Sequence, residues 1–372
     1  MSLPQPIIFS FFAGSGFLDL GFEMSGFDVR FVNEFHEPFL KAYKHSRECM
    51  HLPIPKYGHH LGSIEDFVTG DKTATLKDFV NDAKNESLVG FIGGPPCPDF
   101  SIAGKQKGGE GENGKLTKVY IDAIIANQPD FFLFENVKGL WRTSKHRTFY
   151  DEMKRKLIKA GYVVTDRLTN SIEFGVPQDR DRILMFGVRK KHTKSINEKE
   201  LATEFDWEQN IIFDKQTVLN KDFWPKTSKY LENSRRKLPS HLTRYHELTV
   251  QYWFKANDVS KHPNAKHHFK PKALQRFQSV LEGDDSKKSF KRLHRYRFSP
   301  TAAYGNNEVH LHPYKSRRLS AAEALAIQSL PKEFHFPPTM TLSDMFKTIG
   351  NGVPFLVSKG IANTIKKYIE SI

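Results

Sequence analysis

This chain of 372 residues is poor in cysteine, with only Cys49 and Cys97. Two thiols close one bridge at most, so a disulfide framework is excluded and a reducing, cytoplasmic setting is expected. No apolar run approaches the roughly 20 residues that a membrane-spanning helix requires, so no membrane partner is expected. The opening residues, MSLPQPIIFSFFAGSG, place no basic stretch ahead of the apolar one, and a secretory leader is not expected. There is no internal repeat and no low-complexity tract. The length allows a large core and two domains, at roughly 150 residues each.

Acidic charge is scarce in one place only. Residues 189–318 hold 28 lysines and arginines against 14 acids, while the rest of the chain balances at 28 and 28. The whole excess of +14 sits in that segment. A polyanion is the partner it suits, nucleic acid first.

What the sequence does contain is alternation. IIFSFF (7–12), VRFVNEF (29–35), LVGFIGG (88–94), FFLFENV (131–137) and RILMFGV (182–188) are short, apolar and rich in β-branched or aromatic residues. They are read as buried strands. Helical stretches lie between them, among them EPFLKAYKHS, LTKVYIDAIIANQ and FYDEMKRKLIKAG. This order predicts an α/β fold, a Rossmann-like, doubly wound, mostly parallel sheet. Periodicity fades after Arg189, and 190 to about 300 is basic, irregular and dotted with aromatics. That is read as a second, smaller, irregular domain. Order returns at RRLSAAEALAIQSLP, where Ser320 and Glu323 have the spacing of a capping box.

Chemistry-bearing residues cluster at the carboxyl ends of the expected strands, where open α/β sheets bind ligands. In SFFAGSGF (10–17), Gly14 and Gly16 let backbone approach a ligand. Asp19 stands where a dinucleotide fold wants its third glycine, so either the turn is bare or its ligand makes no phosphate demand. Glu34 ends the second strand and is either a solvated acid or a ribose ligand. Glu135, behind Phe132, Leu133 and Phe134, is expected to have a raised pKa unless an arginine pairs with it. Gln178, Arg180 and Arg182 alternate, which puts them on one face, for an anion or for an Arg–carboxylate network. His59-His60 and His267-His268 have no partner at metal-ligand spacing, and no metal is expected. Cys97 lies between Pro96 and Pro98 at a strand end. With no histidine base placed near it, a thiol beside a carboxyl that can protonate a ring nitrogen suits addition to an electron-poor heterocycle.

Taken in order, FFAGSGF, GGPPCPDFSIAGKQKG, FLFENVKGL, QDRDRI and IGNGVPF resemble the motifs of the cytosine-C5 DNA methyltransferases of bacterial restriction–modification systems. The resemblance runs from residue 7 to about 366 and breaks only in the basic segment. It implies an S-adenosylmethionine-dependent methyltransferase fold, with residues 1–189 plus 345–372 as a discontinuous catalytic domain. It further implies 190–318 as a target-recognition domain and 319–344 as a connecting helix. By the same resemblance Cys97 attacks C6 of a flipped-out cytosine, Glu135 holds and protonates N3, Arg182 positions the base and Arg180 braces the site. S-adenosylmethionine is the implied cofactor and S-adenosylhomocysteine its product. Phe12, Gly14, Ser15, Gly16, Phe17, Glu34, Phe35, Ser63, Ile64, Pro96, Leu116, Asn351 and Val353 are implied to hold it. Ser101, Lys105, Gln106, Lys107, Gln178, Arg295, Arg297 and Thr301 are the implied contacts to double-stranded DNA. The Gly/Lys-rich stretch 102–115 reads as a lid. A monomer is expected, with a cognate restriction endonuclease acting separately.

Three positions depart from the family pattern. Pro98 stands where the family has Gln, Ser63 where it has an adenine-contacting Asp, and Ala103 where a lid Ser is common. Glu65 or Asp66 could reach in for Ser63. The alternatives are a tRNA cytosine-C5 methyltransferase, whose Cys-Phe-Thr motif is missing here, and a DNA-binding relative without catalysis. A nicotinamide dehydrogenase is disfavoured by Asp19 and by the Cys–Glu–Arg set.

Overall fold

The computed structural model describes residues 4–96, 112–272, 274–304 and 308–372, the side chains of 112, 113 and 145 excepted. Strand β1 (Ile7–Phe11) shows why the apolar runs are continuous rather than alternating. Ile7, Phe9 and Phe11 point into one core with Phe31, Phe91 and Phe132. Ile8 points into the opposite core with Val32, Ile92 and Leu133. Such a strand must lie inside a sheet covered on both faces.

The sheet contains β1, β2 (Asp28–Glu34), β3 (His59–Leu61), β4 (Val89–Gly93), β5 (Phe131–Val137), β6 (Tyr162–Asn170) and β7 (Asp181–Arg189). Their order is β3-β2-β1-β4-β5-β7-β6. From β3 to β5 all neighbours are parallel, and β7 runs antiparallel to both β5 and β6. The expected doubly wound, mostly parallel sheet is therefore present. Two strands had no apolar signature: β3 has three residues, and β6 carries Thr165, Asp166 and Arg167 at its centre.

One face is covered by α3 (Thr73–Lys84), α4 (Glu112–Asn127) and α6 (Ser144–Lys159), through Leu76, Val80, Tyr120, Ile124, Met153 and Leu157. The other is covered by α1 (Phe17–Glu23), α2 (Glu37–Cys49) and α13 (Phe355–Ile369), through Phe22, Leu40, Tyr43, Ile361 and Ile365. Between β5 and α6 lies the short α5 (Lys138–Arg142). The C-terminal helix thus returns to pack beside the N-terminal one.

The basic segment has short helices and, among the described residues, isolated bridges in place of a sheet. Its first part packs on the sheet: α7 (Glu198–Glu204) is followed by Phe205, stacked on Phe186 at 4.2 Å. Trp207 Nε1 donates to Thr165 Oγ1 (3.1 Å), and Asn210 Nδ2 to Thr364 Oγ1 (2.9 Å). Beyond it come α8 (Lys215–Val218), α9 (Val250–Ala256) and α10 (Leu274–Ser279). A separate small core gathers Val218, Trp224, Leu242, Leu248 and Tyr296. Several of the segment's cations are buried scaffolding: Arg292 lies 4.0 Å over the Tyr230 ring, and Arg295 forks onto Glu282 at 2.7 and 2.9 Å. Helix α11 (Ala321–Ile327) starts at the expected capping box, Ser320 with Glu323, worth about 1 kcal/mol. Helix α12 (Leu342–Asn351) links α11 to α13.

Candidate active site

The carboxyl ends of β2, β1, β4 and β5 stand side by side, so each motif is delivered to one edge of the sheet. After β1 the chain turns through Phe12 (φ 54°), Gly14 (58°) and Gly16 (80°). At Gly16 a Cβ would meet the Tyr43 ring at 2.5 Å and the Arg47 guanidinium at 2.7 Å, so only glycine fits. The turn is tied to β2 through Glu34. Gly14 N donates to Glu34 Oε2 and His36 N to Glu34 Oε1, each at 2.8 Å. Burial raises the Glu34 pKa, and these two N–H groups oppose the rise. Each carboxylate oxygen keeps a lone pair for a further donor.

The other expected cofactor residues differ in exposure and partners. Phe35 is 75% exposed beside Glu34, and Phe12 is half-buried with its ring edge-on to Tyr120. Ser15 and Thr348 share a hydroxyl hydrogen bond of 2.9 Å that joins the turn to α12. Phe17 packs against Gly352, Asn351 is exposed at the end of α12, and Val353 is buried. Ser63 caps a short 3-10 turn, accepting from Glu65 N and donating to Glu65 Oε2, both at 3.2 Å. Ile64 is buried, Leu116 half-buried and Pro96 exposed. Thr348 was not singled out by the sequence, because only the folded chain brings it to the first turn.

Beneath the turn, Asp19 is fully buried and takes a hydrogen bond from Ser10 Oγ (2.8 Å). Burial is the main reason its pKa rises to about 7, against the pull of Arg47. Arg47 in turn pairs with Glu23 (2.8 Å) and donates to Gly16 O (2.6 Å). An acid in this position opposes a phosphate above the turn.

Two strands away, Glu135 is 7% exposed on β5. Arg182 Nε lies 2.9 Å from Glu135 Oε1, an ion pair in which the N–H is not aimed at the oxygen. Desolvation raises the Glu135 pKa, and Arg182 and then Arg180 pull it back. The β4 exit passes directly over this acid: a Cβ on Gly94 would sit 2.7 Å from Glu135 Oε2. Asn136 Nδ2 reaches Pro95 O at 3.4 Å. Burial thus favours the protonated form of the Glu135 carboxyl relative to one in water, the form that could donate to a base brought alongside.

Arg180 is buried with its guanidinium turned to the returning chain. Its Nη2 donates to Gly350 O (2.9 Å), Gly352 O (3.1 Å) and Asn351 O (3.3 Å), collecting the carbonyls at the end of α12. Gln178 is also buried, its amide holding Ala302 N (2.9 Å) and Gln328 Oε1 (3.1 Å). Arg295 Nη1 donates to Ser234 O (2.6 Å) besides its fork on Glu282, Arg297 Nε to Pro225 O (2.5 Å), and Thr301 Oγ1 to Asp179 O (2.6 Å). Arg180, Gln178 and Thr301 knit the QDRDR loop, the basic segment and the C-terminal helices together, while Arg295 and Arg297 brace the basic segment internally. Cys97, Pro98, Ser101, Ala103, Lys105, Gln106 and Lys107 lie outside the described residues, as does the stretch 102–111 of the expected lid.

The family model of the C-5 cytosine-specific DNA methylases matches residues 7–367. The chain is 59% identical over 369 residues to Type II methyltransferase M.NmeDI of Neisseria meningitidis serogroup C, covering 99% of this chain and 85% of that protein. It is 28% identical to Type II methyltransferase M.MthTI of Methanothermobacter thermautotrophicus, over 98% of each. In structure it is similar to a candidate DNA modification methyltransferase encoded within an E. coli prophage (TM-score 0.67, 22% identity, 98% and 99% covered). The S. pombe Dnmt2 methyltransferase shares the fold at a TM-score of 0.55 and 11% identity, over 99% of each chain. No described helix is long and apolar enough to cross a membrane.

Proposed function

This chain belongs to the C-5 cytosine-specific DNA methylase family, a DNA (cytosine-5-)-methyltransferase, and from that premise we propose how its own residues carry out the reaction. The substrate is a cytosine flipped out of a specific duplex sequence, since C6 is out of reach inside the stack. Cys97, as thiolate, forms a bond to C6. Glu135 donates its proton to N3 as charge arrives there, and Arg182 holds the base and the carboxyl in register. S-adenosylmethionine supplies the electrophilic methyl group that the nucleophilic C5 accepts. Loss of the C5 proton to water, return of the N3 proton to Glu135 and departure of the Cys97 thiolate restore the aromatic ring. The observation that carries this reading is the protonatable, buried Glu135 lying under the Gly94–Pro95 backbone that leads into Cys97.

The cofactor's fit rests on Glu34, which keeps one lone pair per oxygen for the two ribose hydroxyls. The exposed Phe35 ring beside it suits the adenine, and Gly14, Ser15, Gly16 and Asn351 would line the approach. Phe12, Phe17, Ser63, Ile64, Pro96, Leu116 and Val353 complete the walls. Arg180, Gln178 and Arg295 serve by positioning, since each is buried on internal partners. The DNA-tracking charge then falls on exposed cations of the basic segment such as Lys229, Arg235, Lys237 and Arg244, with Ser101, Lys105, Gln106 and Lys107 of the lid. The packing of 198–210 on the sheet supports a recognition domain that starts after it rather than at 190. The names of the relatives support a modification enzyme paired with a restriction endonuclease.

The deciding experiment uses duplex DNA carrying 5-fluorocytosine, which blocks loss of the C5 substituent. A covalent protein–DNA adduct is expected with S-adenosylmethionine, absent in Cys97→Ala although that variant still binds DNA. An adduct that survives the substitution removes Cys97 from the reaction.

A further inference from the structure

On the far side of α2 from the sheet edge lies a second cluster of reactive side chains. His45 and Cys49 are four residues apart on α2, so they project one above the other from one face of the helix. His335 approaches them from the 331–336 segment between α11 and α12. His45 Nε2 is 3.2 Å from His335 Nδ1 and 3.7 Å from Cys49 Sγ. The three ligand atoms all lie within 4.8 Å of one another.

The two separations from His45 match a known geometry. Metal–nitrogen bonds of about 2.0–2.1 Å and a metal–sulfur bond of about 2.3 Å at tetrahedral angles put ligand atoms about 3.3 Å (N to N) and about 3.6 Å (N to S) apart. The His335 backbone is held from both sides, which fixes the point from which its side chain starts. Phe334 and Phe336 are buried against Phe17. Asn264 brackets Phe336 through its carbonyl (3.1 Å) and its N–H (2.8 Å), and His262 Nε2 meets Phe334 O at 3.1 Å. His262 is no ligand, because its other nitrogen takes the Asn264 N–H at 3.1 Å. His45, Cys49 and His335 are each half-buried, which leaves a solvent path to the site and room for water as a fourth ligand.

We propose that His45, Cys49 and His335 form a metal site for a zinc-class divalent ion, bracing α2 against the segment that leads to α12. The donor set of two imidazoles and a thiolate selects borderline-to-soft ions over magnesium or calcium. On binding, the Cys49 thiol proton leaves to solvent and the proton between the two imidazoles moves to an outward ring nitrogen. One metal–sulfur and two metal–nitrogen bonds form. The site is structural: it lies on the helix whose N-cap residue, His36, holds Glu34, and it ties that helix to the chain carrying Thr348 and Asn351.

The test uses the full chain, stripped with a chelator and titrated with Co2+ and then Zn2+. The wild type is expected to show a thiolate-to-cobalt charge-transfer band that zinc abolishes, and a higher thermal midpoint with zinc. The chain has two cysteines, so variants assign the band. It is expected to persist in Cys97→Ser, and to vanish in Cys49→Ser and His335→Gln with at least about a tenfold loss of affinity. A band retained in Cys49→Ser, or none in the wild type, overturns the proposal. Should Cys49→Ser fail to fold, alkylation of Cys49 in the Cys97→Ser chain decides. Stoichiometric zinc is expected to slow it at least about tenfold, and an unchanged rate overturns the site.

Discussion

The ends of β2 and β5 present the same residue in the same kind of place. Glu34 closes β2 and Glu135 lies two residues before the end of β5; each is almost wholly buried, and desolvation raises the pKa of both. They differ in who faces them. Backbone N–H groups hold both oxygens of Glu34, so its charge is stabilised by groups that cannot move away. Glu135 faces a guanidinium whose N–H is not aimed at it, beside a chain segment close enough to exclude a Cβ. In the proposed reaction the first carboxylate binds and the second exchanges a proton. Location in the sheet puts an acid near a ligand, and the partners decide what the acid does there.

Substitutions at the two ends should separate these roles. The largest effect is expected from Glu135→Gln, which keeps the shape and removes the proton: kcat should fall at least about 100-fold with little change in cofactor KM. A near-normal kcat would mean that the two ends do not differ in kind. Glu34→Gln should do the opposite. Cofactor Kd, measured by calorimetry, should rise about 10- to 100-fold, since a charge-assisted acceptor is worth about 1.5–3 kcal/mol, while kcat at saturation holds.

Arg180→Lys sharpens the contrast by loosening the join to α12. Lysine has a single nitrogen, whereas Arg180 reaches Ala302 O through Nη1 and the carbonyls of 350–352 through Nη2, so about 1–3 kcal/mol of stability should be lost in denaturant unfolding. Unchanged stability would leave those carbonyls to another donor. A pH-dependent effect, about 1.4 kcal/mol per pH unit at most, belongs to Asp19→Asn. The native pKa of Asp19, about 7, lies above the ordinary 3.8. Between those values the folded state therefore binds more protons than the unfolded one, and wild-type stability falls as pH rises through that window. The advantage of Asp19→Asn should grow from pH 4 to 7 and then level off. Parallel pH profiles would place the proton elsewhere.

DNA affinity should also fall steeply with salt, since the exposed cations of 229–244 would release counterions on contact. A flat profile would leave that charge as ordinary surface.

Much of the sheet edge was legible because its signals are local. Runs such as IIFSF and FFLFENV state their own burial, and GSG and Ser320 with Glu323 announce a turn and a cap within four residues. β3 and β6 were not legible, one for brevity and the other because polar side chains fill its centre. In the basic segment, charge alone could not show which arginines face solvent. Arg292 and Arg295 count toward the excess yet lie buried on carbonyls and on Glu282.

The sequence by itself determined the α/β class, the order of the motifs and the residue types at each strand end, because strand burial and turn chemistry depend on neighbours a few positions away. Only the tertiary structure decided that β7 runs against β5, that Arg180 grips the end of α12 and that His335 meets His45 and Cys49. Each of these joins residues far apart in the chain, and such meetings are set by packing, which no local pattern encodes.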